Sequence, residues 1–131
     1  MSALVFKEKS TSNIKAALLL YENEYYGSSV HCYYYSSFQL TIFVLLNKFG
    51  LSHEELRNEA FDAKRSMHKY YINKLTGTIS NLQKRRLFND NINRLRNIRN
   101  EADYDPFITN QRVCEDAKRY NEKINEILNT I

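Results

Sequence analysis

The chain of 131 residues predicts an all-α fold, an up-down bundle of four main helices plus one extra short or broken helix. Three observations carry that prediction. Gly occurs three times and Pro once, so the tight turns of sandwiches and barrels are scarce. Leu, Ile, Ala, Glu, Lys, Arg, Asn and Tyr are plentiful, which suits long helices. Apolar residues also recur at helical intervals along most of the length. A chain of this size buries a real core by itself, so residues 1–131 are expected to form a single domain with its core at about 12–129.

The first segment is predicted from about Ser12 to Asn23, with Ile14, Ala17, Leu18 and Tyr21 on one side and Ser12 or Asn13 as cap. The second, about Tyr25 to Phe49, is the most apolar. Val30, Tyr34, Phe38, Ile42, Leu45 and Phe49 form one stripe, and Tyr33, Leu40, Phe43 and Val44 widen it, so this helix should be buried on most sides. Gly50 suits a C-cap, and Ser52 followed by Glu55 matches a capping box. A third segment runs from about His53 to Leu75, open to a break in its middle. After "LTGTIS", a fourth runs from about Ile79 to Asp103, its apolar face being Leu87, Phe88, Leu95, Ile98 and Ala102, and Pro106 prevents its continuation. The fifth, about Asn110 to Leu128, carries Val113, Ala117, Tyr120, Ile124 and Ile127, with Thr109 as cap.

Composition narrows the function classes. Cys32 and Cys114 stand far apart without a CxxC or a His at ligand spacing, so they are expected to be reduced and buried, and neither a metal site nor a cofactor is expected. "MSALVFKEKS" has too short an apolar run for a signal peptide, and "FQLTIFVLL" falls well short of the ~20 residues of a membrane span, so a cytoplasmic protein with no membrane partner is expected. The net charge of +4 is unevenly spread. Between Lys64 and Asn100, ten Lys or Arg face one acid, Asp90, giving +9 there and −5 elsewhere. Such asymmetry predicts a positive face that attracts polyanions, phosphate backbones above all.

"RLRNIRNEADYDP", Arg94 to Pro106, is the segment most able to read phosphate. At ~100° per residue, Arg85, Arg96 and Asp103 fall on one line of the fourth helix, flanked by Arg99 and Asn100. Arg96 with Asn100, and Arg99 with Asp103, are i,i+4 neighbours that can hold one another. Guanidinium forks match phosphate oxygens, and these are expected to lie open to an anion in a groove. Cleavage would also need a group that moves a proton near neutral pH, and no His lies in the segment. Tyr104 and Asp103 are poor substitutes, so the local chemistry favours binding.

The three histidines stand elsewhere: His31, His53 and His68 read as packed or capping residues, with His68 a supporting residue because it lies in the basic segment. In the run Tyr33, Tyr34, Tyr35 the rings must point in different directions, so at least one should reach a second surface, such as a homodimer interface.

Taken in order, "AALLLYENEYYGSSVHCYYYSSFQLTIFVLL", "SMHKYYINKLTGTIS", "LRNIRNEADYDP" and "EDAKRYNEKINEIL" resemble the HEPN domain, the higher eukaryote and prokaryote nucleotide-binding helical bundle. The likeness runs from about Ile14 to Leu128 and is greatest to small stand-alone members with an Arg, a few residues and Ala-Asp-Tyr. It implies a homodimer of about five-helix bundles meeting across a positive cleft. Many members are metal-independent ribonucleases of toxin–antitoxin or phage-defence modules, often paired with a minimal nucleotidyltransferase. Arg99 and Asn100 match the first two positions of the family's active motif. Its His would fall at Tyr104, Asp105 or Pro106, where none stands, and the Tyr that follows it has no counterpart either. His68 matches a histidine of similar members without replacing the lost one.

The expectation is therefore an RNA- or nucleotide-binding homodimer with a degenerate ribonuclease motif. Arg96, Arg99, Asn100, Asp103 and Tyr104 would bind, Arg99 and Tyr104 would be the catalytic candidates, and His68 and Arg85 would support. The alternatives are a non-catalytic partner of a nucleotidyltransferase, and an active ribonuclease using Tyr104 or a distant His.

Overall fold

The structure, a computed structural model, describes residues 3–131, the Phe49 side chain excepted, so the last place in the predicted stripe lies outside the described residues. Among these residues the protein is all-helical, with six helices. Four are long: α1 (Leu4–Glu22), α2 (Tyr26–Phe49), α5 (Leu82–Tyr104) and α6 (Gln111–Asn129). Two are short, α3 (His53–Asp62) and α4 (Met67–Thr78). The predicted third segment is thus two helices. The chain turns between them through Lys64, at φ 55°, and α4 restarts where the Ser66 side chain accepts from Lys69 N.

The first helix begins eight residues earlier than its predicted cap, at Leu4, because nothing between there and Ser12 breaks a helix and Phe6 is buried in the core. The core accordingly starts before residue 12. Asn13 lies inside the helix and uses its amide on Gln39 Oε1 at 2.8 Å. The fourth segment starts later than predicted: Ile79 ends α4, and Asn81 caps α5 by accepting from Lys84 N at 2.9 Å. Asn110, one residue beyond the predicted Thr109, caps α6 through Val113 N. The predicted capping box is present: Ser52 Oγ accepts from Glu55 N, and Glu55 Oε2 accepts from Ser52 N. Gly50, at φ +65°, ends α2 in the left-handed conformation that glycine adopts without strain.

The predicted burial of α2 on most sides is found, since it packs against α1, α4, α5 and α6. Small polar residues set its close approach to two of them. Ser29 Oγ donates to Ala17 O and Ser10 Oγ to Ser36 O, so α1 and α2 run antiparallel. Asn121 donates from Nδ2 to Tyr33 O and Ser37 Oγ, and Asn125 to Ser36 Oγ, so α6 runs parallel to α2. All the residues named in these contacts with fully buried side chains are thereby satisfied, as buried polar groups must be.

The three consecutive tyrosines do point apart, but into the same monomer. Tyr33 is buried beside α6, Tyr34 meets α4 and Tyr35 meets α5. Both cysteines are free; Cys114 is buried, whereas Cys32 is only half-buried because it lies at the rim of a surface cleft.

Candidate functional site

Along the seam between α2 and α5 runs a ladder of polar and aromatic pairs. His31 meets Asp103, and four residues later on α2 Tyr35 meets Arg99, four residues earlier on α5. The two helices are therefore antiparallel, and the i,i+4 spacing on each puts both rungs on facing sides.

Arg99 is the centre of the ladder. One guanidinium nitrogen donates to Tyr35 Oη at 3.0 Å and the other terminal nitrogen to Asn100 Oδ1 at 3.0 Å. Its Nε lies 2.9 Å from Asp103 Oδ2, yet the N–H makes no hydrogen bond, so that contact is purely ionic. The rings of Tyr34, Tyr35 and Tyr104 stand 5.2–5.6 Å from the guanidinium carbon, close enough for cation–π attraction. Arg99 is thus neutralised and clamped inside the protein, its side chain 13% exposed, and does not lie open to an anion as expected. The sequence pattern placed it correctly beside Asp103 but carried no information about the tyrosines of α2.

Arg96, one turn earlier, behaves oppositely. It is half-buried and has no hydrogen bond or ion pair among the described residues. Its charge acts instead on Tyr34 and His68. His68 reaches this place from α4, where its ring stacks on Phe38 at 4.2 Å and Nδ1 shares a hydrogen bond of 2.6 Å with the Tyr34 hydroxyl. Burial, followed by Arg96 and Arg99, pushes the His68 pKa down to about 4, so it is neutral at pH 7. Burial pushes the Tyr34 hydroxyl up, opposed by the same two arginines.

The other predicted residues divide. Asn100 holds Arg99, and Tyr104 lays an exposed ring over it. Arg85 does not join the site: its Nε donates to Ile79 O at 2.8 Å, satisfying a carbonyl at the end of α4. The line Arg85, Arg96, Asp103 therefore faces α4 and α2 and is not an open strip.

His31 is the residue that the sequence reading missed. Its Nδ1 lies 2.8 Å from Asp103 Oδ2, the same oxygen that faces Arg99. A carboxylate only accepts, so Nδ1 carries a proton and donates it to Asp103. The Asp103 side chain is 21% exposed and that of His31 43%, so the pair is anchored on one side and wet on the other. Both line a cleft of about 1000 Å³ walled by the first turns of α2 and α6 and by the α5–α6 loop. Tyr25, Phe107 and Ile108 supply apolar surface at its rim, and the last two are 80% and 98% exposed.

Among the described residues no group of three or more His, Cys, Asp or Glu is placed to hold a metal ion, and no helix is long and apolar enough to cross a membrane. No family model, curated protein or solved structure matches this chain.

Proposed function

We propose that this protein is a HEPN-like homodimer that binds RNA or a nucleotide as part of a toxin–antitoxin or phage-defence module, in the cytoplasm. The observation that carries the binding reading is the pairing of one occupied and one unoccupied guanidinium on the same helix. Arg99 is fixed by Tyr35, Asn100 and Asp103, whereas Arg96 has no acceptor among the described residues. Five further basic side chains, Lys64, Arg65, Lys69, Arg86 and Arg94, are exposed and likewise without an anionic partner. Unpaired cations gain most from a phosphate, because binding releases counterions and breaks no existing ion pair. Tyr104, 73% exposed above Arg99, offers a face on which a base can stack.

Binding of a labelled single-stranded RNA as a function of salt tests this. Affinity should fall linearly in log[salt], and Arg96→Ala should weaken binding while lowering the slope by about 0.7, the value for one phosphate contact on a single strand. Binding absent at low salt, or untouched by Arg96→Ala, refutes the reading.

A second reading, a docking partner for a nucleotidyltransferase, is favoured by the exposed Phe107 and Ile108, apolar surface that a bound protein would cover. Co-purification with such a partner that is lost in a Phe107→Ser, Ile108→Ser double variant would support it.

A further inference from the structure

We infer that the corner between α3 and α4 is a second nucleic-acid contact, in which Phe61 stacks on an unpaired base while Lys64 and Arg65 take neighbouring phosphates. The inference rests on the RNA-binding reading at Arg96 and narrows its ligand to one class: a single strand long enough to reach both places, and neither a mononucleotide nor a duplex.

Three observations meet at this corner. Residues 61–67 are all exposed, and Phe61 is 82% exposed while Leu56 and Ala60 of the same helix are buried. One exposed ring is ordinary by itself; its setting is not. Lys64 N donates to Phe61 O at 3.0 Å and Arg65 N to Ala60 O at 3.2 Å, the pair of bonds that closes a helix through a left-handed residue. Glycine fills that position at least cost, yet here it is Lys64, at φ 55°. A lysine kept where its own Cβ opposes the backbone points to a use for its charge. Neither Lys64 nor Arg65 has an ion pair among the described residues, and Arg57, four residues before Phe61 on the same side of α3, is exposed as well. The Phe61 ring thus stands between cations.

This chemistry suits a nucleic acid better than a lipid surface. One ring is platform enough for one base, and the cations beside it match the phosphates on either side of that base. A bilayer would need more apolar surface: Met67, the other large apolar residue of the corner, is only 38% exposed, and Asp62 adds a negative charge. A duplex keeps its bases paired and stacked, so it has no free face to lay on Phe61. The corner also lies on the Arg96 side of the molecule, because His68, three residues beyond Arg65, feels the charge of Arg96. One strand can therefore engage both places, and once the first contact is made the second forms at high effective concentration. A mononucleotide gains nothing from that linkage.

The test measures binding by the full chain of a long labelled single-stranded RNA, the same sequence paired as a duplex, and a labelled mononucleotide. Wild type should bind the long strand about tenfold or more tightly than either of the others. Phe61→Ala should weaken that binding about fivefold or more with circular dichroism unchanged. Lys64→Gly gives the sharper readout, since it removes a charge and relieves the backbone. It should melt a few degrees higher than wild type, yet bind more weakly and with a salt slope lower by about 0.7. Weaker binding by a more stable protein cannot come from misfolding. Affinity for the long strand untouched by both variants, while Arg96→Ala still lowers it, overturns the corner and leaves the RNA-binding reading standing. Duplex bound as tightly as the single strand overturns the corner too. So does binding to phosphatidylserine–phosphatidylcholine vesicles that Phe61→Ala abolishes while RNA binding stays unchanged, an outcome that would assign the corner to a membrane. Absence of binding to any of the RNAs overturns the RNA-binding reading as well, and the corner with it.

Discussion

Two buried groups make the residue scale testable. The Tyr71 hydroxyl is fully buried and has no hydrogen-bond partner, and burial pushes its pKa up to about 12. A hydroxyl in that position loses water and gains nothing, so Tyr71→Phe should stabilise the fold by about 1 kcal/mol, seen as a melting temperature raised by a few degrees. His68 makes stability depend on pH. Its folded pKa, about 4, lies below the ordinary 6.5, so the unfolded chain binds the proton first. The contribution is complete above pH 6.5, falls as the pH drops towards 4, and is constant below that. Because the ring is only half-buried, solvent screening reduces the loss to about 1–2 kcal/mol. Urea unfolding at pH 7 and pH 4.5 should show it, and His68→Gln, which keeps a partner for the Tyr34 hydroxyl, should shrink the difference. An unchanged difference would mean that other groups, such as Glu59 and its Lys74 partner, cause the acid sensitivity.

Element ends show how local chemistry becomes geometry. Gly50 and Gly77 differ in backbone, not in crowding, since a methyl group at either position meets nothing within 4 Å. Gly50 sits at φ +65° and closes α2, so Gly50→Ala should cost about 1 kcal/mol through backbone strain alone. Gly77 lies within α4, so Gly77→Ala should stabilise by about 0.5–1 kcal/mol by restricting the unfolded chain. Thermal melts of the two variants moving in the same direction would contradict this account. The Gly50 stop and the Ser52–Glu55 box were legible in sequence because each needs residues only a few positions apart. The break between α3 and α4 was not placed in advance, since it depends on Lys64 adopting a left-handed backbone that its side chain does not advertise.

For the whole molecule, the partition of charge and the α2–α5 seam matter together. The +9 segment contributes Arg96 and Arg99 to one seam, but only Arg99 is neutralised, by Asp103, and held by hydrogen bonds to Tyr35 and Asn100. The proposed homodimer is tested by sedimentation at micromolar concentration, where a mass near twice 15.6 kDa is expected and a 15.6 kDa particle would remove that part of the proposal. By itself the sequence determined the helical class, the approximate helices, the basic segment and the Arg99–Asp103 pair, because periodicity and i,i+4 contacts follow from the geometry of one helix. Only tertiary structure decided that His31 meets Asp103 across 72 positions and that Tyr35 claims Arg99. Those contacts depend on the register of α2 against α5, which is set by packing of the whole core and by no local rule.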